Sequence, residues 1–220
     1  MKAFVAGATG QTGRRIVEAL VARGIPVRAL VRNAATARDQ LPAEVELVVG
    51  DVLKPQKLED AIGDSTVLLC ATGASPSLDF TEPYRVDYLG TKNLIEAARR
   101  KQIQQFVIVS SLCVSQFFHF LNLFWLVLWW KKLAEGELQR SGLTYTIARP
   151  GGLRNDDDSS DPLVMQGADT LFGGSIPRRR VAQVCVEALF EPDARNKILE
   201  IVTQQEAKEQ GIPELFAQVN

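Results

Sequence analysis

The feature that most limits what this chain can fold into is a set of glycines near its start. Phe4, Val5 and Ala6 form a short apolar run that breaks into Gly7, Gly10 and Gly13. Apolar residues then recur at helical spacing through Ile16, Val17, Ala19, Leu20 and Val21. The order is strand, tight turn, helix. Glycines suit such a turn because they tolerate positive φ and let backbone approach a ligand without a Cβ in the way. The helix presents unpaired N–H groups and the positive end of its dipole to the turn, a seat for a pyrophosphate. An ordinary strand-to-helix turn can carry the same glycines. Gly7-x-x-Gly10-x-x-Gly13 after a strand and opening a helix nonetheless predicts a dinucleotide site formed by Gly7, Thr9, Gly10, Gln11, Thr12 and Gly13.

The rest of the chain alternates in the same sense. Strands are expected at 27–32, 45–52, 65–74, 105–109, 143–148 and 197–202, with helices near 55–57 and over 83–100 and 180–190, and a last helix at the end. Residues 65–74 are almost unbrokenly apolar, the pattern of a parallel strand covered on both faces. Repeated βα units require right-handed crossovers, so the fold class expected is α/β, a Rossmann-type doubly wound parallel sheet with helices on both faces. The 220 residues are expected to form a single domain (1–220). Residues 154–177 are the one long irregular segment, read as a loop covering the ligand crevice.

Cofactor type is decided where the second strand ends. NAD sites place a carboxylate there for the ribose 2′-OH. This chain has Val31, Arg32 and Asn33 instead, with Arg38 close behind. A guanidinium suits a phosphate dianion in charge and bidentate geometry, so NADP(H) is expected in preference to NAD(H). Asp51 would meet the adenine amino group or cap the helix that follows, with Val52 packing on the ring. Ala71, Thr72 and Gly73 would line the ribose crevice.

Composition excludes some alternatives. A net charge of -1 argues against a nucleic-acid partner. Cys70, Cys113 and Cys185 are widely separated and odd in number, so no disulfide framework or metal spacing appears. Asp156, Asp157, Asp158 and Asp161 are a linear acidic run, better read as solvated than as a metal site, and no metal is expected. A start that enters a strand at once, together with reduced thiols, points to the cytoplasm.

With these residues read, the chain resembles the atypical short-chain dehydrogenase/reductase superfamily along nearly its full length, nearest its NAD(P)-binding, NmrA-like group. The residues that carry the resemblance are the glycine turn, Val31-Arg32, Gly50-Asp51-Val52, Asp87-Tyr88-x-Gly90-Thr91-Lys92-Asn93, Val109-Ser110-Ser111 and Arg149-Pro150-Gly151-Gly152-Leu153. Gly174-Ser175-Ile176-Pro177-Arg178, followed by Val181-Ala182, matches the group's late helix, in a form like a subgroup common in cyanobacteria and plastids. The opening third also resembles flavin reductase (biliverdin-IXβ reductase). The resemblance implies cofactor contacts at Ser110, Lys131, Pro150, Gly151 and Gly152.

It also implies a catalytic Ser, Tyr and Lys, with Tyr four residues before Lys. Ser111 fits the serine and Lys131 the lysine, since Glu135 and Leu138 follow it in pattern. Four residues before Lys131 stands Val127, which cannot transfer a proton; the register from Lys132 meets Leu128. An NADPH-dependent oxidoreductase is still implied, acting on a hydrophobic or conjugated acceptor of flavin, quinone or tetrapyrrole type. The alternative is a non-catalytic NADP(H)-sensing regulator or assembly factor.

The stretch 117–130 is the other unusual feature. Phe117, Phe118, Phe120, Leu121, Leu123, Phe124, Trp125, Leu126, Val127, Leu128, Trp129 and Trp130 leave only His119 and Asn122 polar. A helix here would be apolar all round. It reads either as a buried helix that walls a substrate pocket, or as an exposed patch for a protein partner or peripheral membrane contact. His119, set among phenylalanines, reads as structural.

Overall fold

A computed structural model describes residues 1–74, 79–123 and 125–219. Phe124 of the aromatic stretch lies outside the described residues. The opening elements are those the glycine turn predicts: β1 (Ala3–Ala6) and α1 (Gln11–Ala22). Then come β2 (Val27–Val31), α2 (Ala34–Arg38), β3 (Glu46–Val49), α3 (Leu58–Ile62) and β4 (Val67–Cys70). A π-helical stretch, Tyr84–Gly90, runs directly into α4 (Thr91–Arg100). After β5 (Gln105–Val109) follow α5 (Val127–Arg140), β6 (Tyr145–Pro150), β7 (Gly152–Arg154), β8 (Leu163–Gln166) and β9 (Ser175–Pro177). The chain closes with α6 (Arg178–Glu187), β10 (Lys197–Thr203) and α7 (Ile212–Gln218).

The strands form one sheet in the order β3-β2-β1-β4-β5-β6-β10-β9-β7, with β8 also paired to β10. From β3 to β10 the neighbours are parallel. Strand order reverses between β1 and β4, which opens a crevice beyond their carboxyl ends, the usual ligand position in doubly wound sheets. Both faces are covered. Ala3 and Val5 pack in one core with Ile16, Leu20 and Val184, while Phe4 and Ala6 pack in the other with Leu94, Leu138 and Ile147. Alternate residues of β1 thus serve opposite layers, which is why the strand is apolar throughout.

Two expectations are corrected. Residues 154–177 are not an irregular loop, since β8 and β9 pair antiparallel with β10 and β7 pairs parallel with β9. These strands are three or four residues long, too short for alternation to reveal them, and their pairing partner lies far along the chain. Nor is 117–130 a helix. Trp125 and Leu126 both have φ of 58°, which breaks any continuous helix, and α5 begins only at Val127. The buried Asn122 side chain organises the turn. Its Nδ2 donates to the Phe117 carbonyl (2.9 Å) and its Oδ1 accepts from Leu128 N–H (3.0 Å) and Trp129 N–H (3.2 Å), capping α5 from outside it. Phe117, Phe118, Phe120, Leu123, Trp125 and Leu126 are exposed, so the buried-helix reading is overturned for this part of the segment.

Candidate functional site

The crevice forms where β1 and β4 separate. Gly7 has φ of +81°, and a Cβ there would stand 2.6 Å from the Ala71 carbonyl carbon. A Cβ on Gly13 would stand 2.0 Å from the Gly7 carbonyl oxygen. Only glycines let the turn fold this tightly against α1 and β4. The turn is closed by Gly10 N–H donating to the Gly7 carbonyl (3.0 Å), and Arg14 N–H donates to the Gly10 carbonyl (2.9 Å). No side chain caps α1, and no carboxylate lies in its first turn. Its leading N–H groups therefore face the crevice without a protein acceptor, which suits an anionic group.

A cavity of about 550 Å³ runs from this turn along the strand ends, lined by Gly7, Thr9, Gly10, Arg32, Asp51, Val52, Ala71, Thr72 and Gly73 among others. All nine are expected from the sequence. The far wall, Asp79, Glu82, Arg85 and Val86, is not. These residues precede or begin the π-helical stretch, which packs on the β3 corner: a Cβ on Gly90 would stand 2.7 Å from Val52 Cγ2, and Asn93 Nδ2 donates to the Val52 carbonyl (2.8 Å). Arg32 has no hydrogen-bond or ion-pair partner among the described residues, whereas Arg38 is spent on loop carbonyls, donating to Ala43 (3.0 Å) and Val45 (3.2 Å). Arg38 is therefore no companion for Arg32. Asp51 accepts from Leu53 N–H (2.9 Å), closing its own turn rather than capping a helix.

Thr72 leads into a second cavity of about 10 Å³, lined also by Asp87, Thr91, Ser110 and Lys131. Lys131 Nζ lies 2.6 Å from Asp87 Oδ1, and the Asp87 side chain is 0% exposed. Ser110 Oγ is buried without a hydrogen-bond partner. Cys70 Sγ lies 3.2 Å from Thr72 Oγ1 beneath, and burial pushes its thiol up from the usual range. All three cysteines are free and buried. The cradle at Gly7 and the uncapped start of α1 fit the pyrophosphate of a nicotinamide dinucleotide in the large cavity, with Ser110 and Lys131 bordering the small cavity at its inner end.

Other expected residues are placed differently. Val127 opens α5 and packs with Leu112, Val114 and Leu128; no tyrosine takes its place. Ser111 lines neither cavity. Pro150, Gly151 and Gly152 are held by the sheet: the Pro150 carbonyl accepts from Leu112 N–H (2.9 Å), Gly151 N–H donates to Ile201 (3.0 Å) and Gly152 N–H to Gly174 (2.9 Å). Behind them Arg149 is buried with Glu135 (2.7 Å) and Glu200 (3.2 Å), and reaches Asp169 (2.9 Å). Burial pushes the Arg149 guanidinium down, but Glu135 first, then Asp169 and Glu200, hold it well above its ordinary value. Within the acidic run Asp157 is bound, while Asp156 and Asp158 are exposed. Arg15 grips Asp157 through Nε (2.6 Å) and Nη2 (2.6 Å), holding its carboxyl below the usual carboxylate range.

Sheet order and crevice together define a Rossmann-type dinucleotide-binding protein. Comparison with known proteins is more specific: a family described as NAD(P)H-binding matches residues 7–192, and the chain belongs to it. An uncharacterised chloroplastic protein of Arabidopsis thaliana is 44% identical over 99% of this chain and 82% of its own length. Protein TIC 62, chloroplastic, of the same plant is 37% identical over 98% of this chain, which spans 38% of that protein. Sanguinarine reductase of Eschscholzia californica is 30% identical over 98% of this chain and 95% of its own length. Among solved structures, a putative NAD-dependent epimerase/dehydratase from Bacillus halodurans superposes with a TM-score of 0.86 at 26% identity, covering 99% of both chains. The relatives support the atypical short-chain dehydrogenase/reductase resemblance and an oxidoreductase family with reductase members. They overturn the expectation of a cytoplasmic protein, because the relatives at 44% and 37% identity are chloroplastic. Buried free thiols are compatible with any reducing compartment, so they could not decide between the two. No helix among the described residues is long and apolar enough to cross a membrane.

Proposed function

We propose that the chain is a plastid-type NADP(H)-preferring oxidoreductase that reduces a flat, hydrophobic or conjugated acceptor without a tyrosine acid. The observation that carries this reading is the inner end of the crevice, where a fixed cation and a buried hydroxyl stand together while valine occupies the tyrosine's position. Gly7, Gly10 and the start of α1 would hold the pyrophosphate, Arg32 the 2′-phosphate, and Thr72, Gly73, Ser110 and Lys131 the nicotinamide ribose. Bound NADPH supplies a hydride. The chain's share is to bind, to orient and to exclude water, so juxtaposition rather than acid catalysis lowers the barrier. A conjugated acceptor suits such a site because its accompanying proton can come from solvent. The test is to mix protein and NADPH with flavins, quinones and tetrapyrroles while following the absorbance of the reduced nicotinamide. Turnover with at least one acceptor is expected; none across the panel would sink the reading.

A second reading rests on the exposed side chains of 117–126. Phe118 is 98% exposed and Leu123 81%, and aromatic residues of this kind favour the bilayer interface. In this reading the chain is a non-catalytic NADP(H)-dependent regulator held at a membrane surface. Flotation with plastid-lipid vesicles, lost in Phe118→Ser/Leu123→Ser, is expected. Absence of flotation would overturn it.

A further inference from the structure

Asp87 is the most deeply buried charge at the site, and nothing in the proposed function uses it. A carboxylate without solvent is costly unless it is paired and hydrogen-bonded. Here both requirements are met, by Lys131, which lines the small cavity, and by the N–H of Ala74, next to Gly73. Oδ1 takes Lys131 Nζ at 2.6 Å, and Oδ2 accepts from Ala74 N–H at 3.2 Å. A Cβ on Gly73 would lie 3.7 Å from Asp87 Oδ1 and 3.8 Å from Lys131 Nζ. The pair thus lies against the backbone of a residue that lines the large cavity, and its own side chains line the small one. Asp87 is carried on the π-helical stretch Tyr84–Gly90, an irregularity that recurs at functional positions in other helices.

A lysine beside a tyrosine serves to lower the phenol's pKa, but no tyrosine stands at the Val127 position. We propose that Asp87 is a positioning residue: it fixes the Lys131 ammonium at the nicotinamide-ribose end of the crevice, so that the lysine acts as a cofactor clamp instead of activating an acid. The ammonium has three donors, and Asp87 engages one of them. The others remain for the ribose hydroxyls, beside the Ser110 hydroxyl that lacks a protein partner. The inference rests on the reading that the crevice takes a nicotinamide dinucleotide.

Calorimetric titration with NADPH, and separately with the adenosine half alone (adenosine carrying its 5′- and 2′-phosphates), separates the two. Asp87→Asn preserves shape and an acceptor for Ala74 but removes the charge. It is expected to weaken NADPH about tenfold while leaving the adenosine half within about twofold of wild type. Lys131→Met should do the same, and the double variant should be no worse than Lys131→Met alone, because the two act as one unit. A purely structural role would weaken both ligands together. Unchanged NADPH binding in Asp87→Asn, equal losses for both ligands, or full additivity in the double variant would each overturn the inference. Should Asp87→Asn fail to fold, Lys131→Met alone decides: unimpaired NADPH binding in that variant removes the clamp and with it the role of Asp87. If wild type binds neither ligand, it is the dinucleotide reading that fails.

Discussion

The two ends of the crevice are built from different materials. At the outer end the ionic groups are wet: Arg32 is exposed, and Asp79 and Arg85 are about half exposed and face each other loosely at 3.8 Å. At the inner end they are dry. Asp87 holds Lys131, and one α-helical turn further along α5, behind the lining of the two cavities, Glu135 holds Arg149, which Glu200 also grips. Glu200 in turn accepts three backbone N–H groups, from Asp169, Thr170 and Leu171. Exposed charges gain little from each other because water screens them, and Arg32 stays available for a ligand. Buried charges are held by strict geometry and fix the shape around them. In the proposed function Arg32 at the outer end would meet a phosphate, and the inner end would hold a ring in one place.

The sharpest way to break this contrast is at the buried guanidinium of Arg149. Arg149→Met leaves Glu135 and Glu200 buried side by side without their cation. It should lower unfolding stability by about 3–5 kcal/mol in urea titrations, while whatever folds still binds the adenosine half normally. A loss below about 1 kcal/mol would mean that the network is not what shapes the inner end. Next in size is the turn itself. A Cβ on Gly10 would meet only the Gly7 carbonyl, at 3.2 Å, so Gly10→Val should fold. Its branched side chain would stand in the proposed pyrophosphate seat, and dinucleotide affinity should fall about a hundredfold. Wild-type affinity in a folded Gly10→Val protein would remove the seat from α1.

How much of this was legible in the sequence follows the same division. The wet end could be read because its recognition depends on backbone turns and single side chains at strand ends. Gly7, Gly10, Arg32 and Asp51 announce themselves by position within a local strand–turn–helix pattern. The dry end could not, because its pairs join residues far apart: Asp87 with Lys131, Arg149 with Glu200, and the short β8 with β10. Asp87 stood in plain view within the Asp87-Tyr88-x-Gly90 motif, but nothing local says which cation it meets. The apolar 117–130 stretch misled for a related reason. An almost unbroken apolar run there reads as a helix that is apolar all round, and the two left-handed residues, Trp125 and Leu126, are of types that seldom adopt that conformation.

A smaller effect is expected at the wet end. Arg32→Glu places a carboxylate where the 2′-phosphate is proposed to lie. NADP affinity should fall about tenfold with NAD little changed, and the ratio of the two dissociation constants is the measurement. An unchanged ratio would make Arg32 an ordinary surface charge, and the outer end would then recognise no more than adenosine.

The smallest effect is expected at a pair of intermediate exposure, where Asp157 of the β7–β8 connection meets Arg15 on α1. Arg15 holds the Asp157 carboxyl below its ordinary value, with the Arg179 N–H assisting. A carboxyl depressed on folding contributes stability that is complete above its unfolded pKa, about 3.9, and that disappears as pH falls through the lower folded value. Asp157→Asn should therefore cost about 1 kcal/mol at neutral pH, between the ranges for exposed and buried pairs. The gap between wild type and variant should stay constant down to about pH 5 and shrink progressively as pH falls below about 3.9. Urea midpoints at the three pH values measure it. A gap as large as that of Arg149→Met would show that exposure does not rank these charges, and the contrast between the two ends would lose its physical basis.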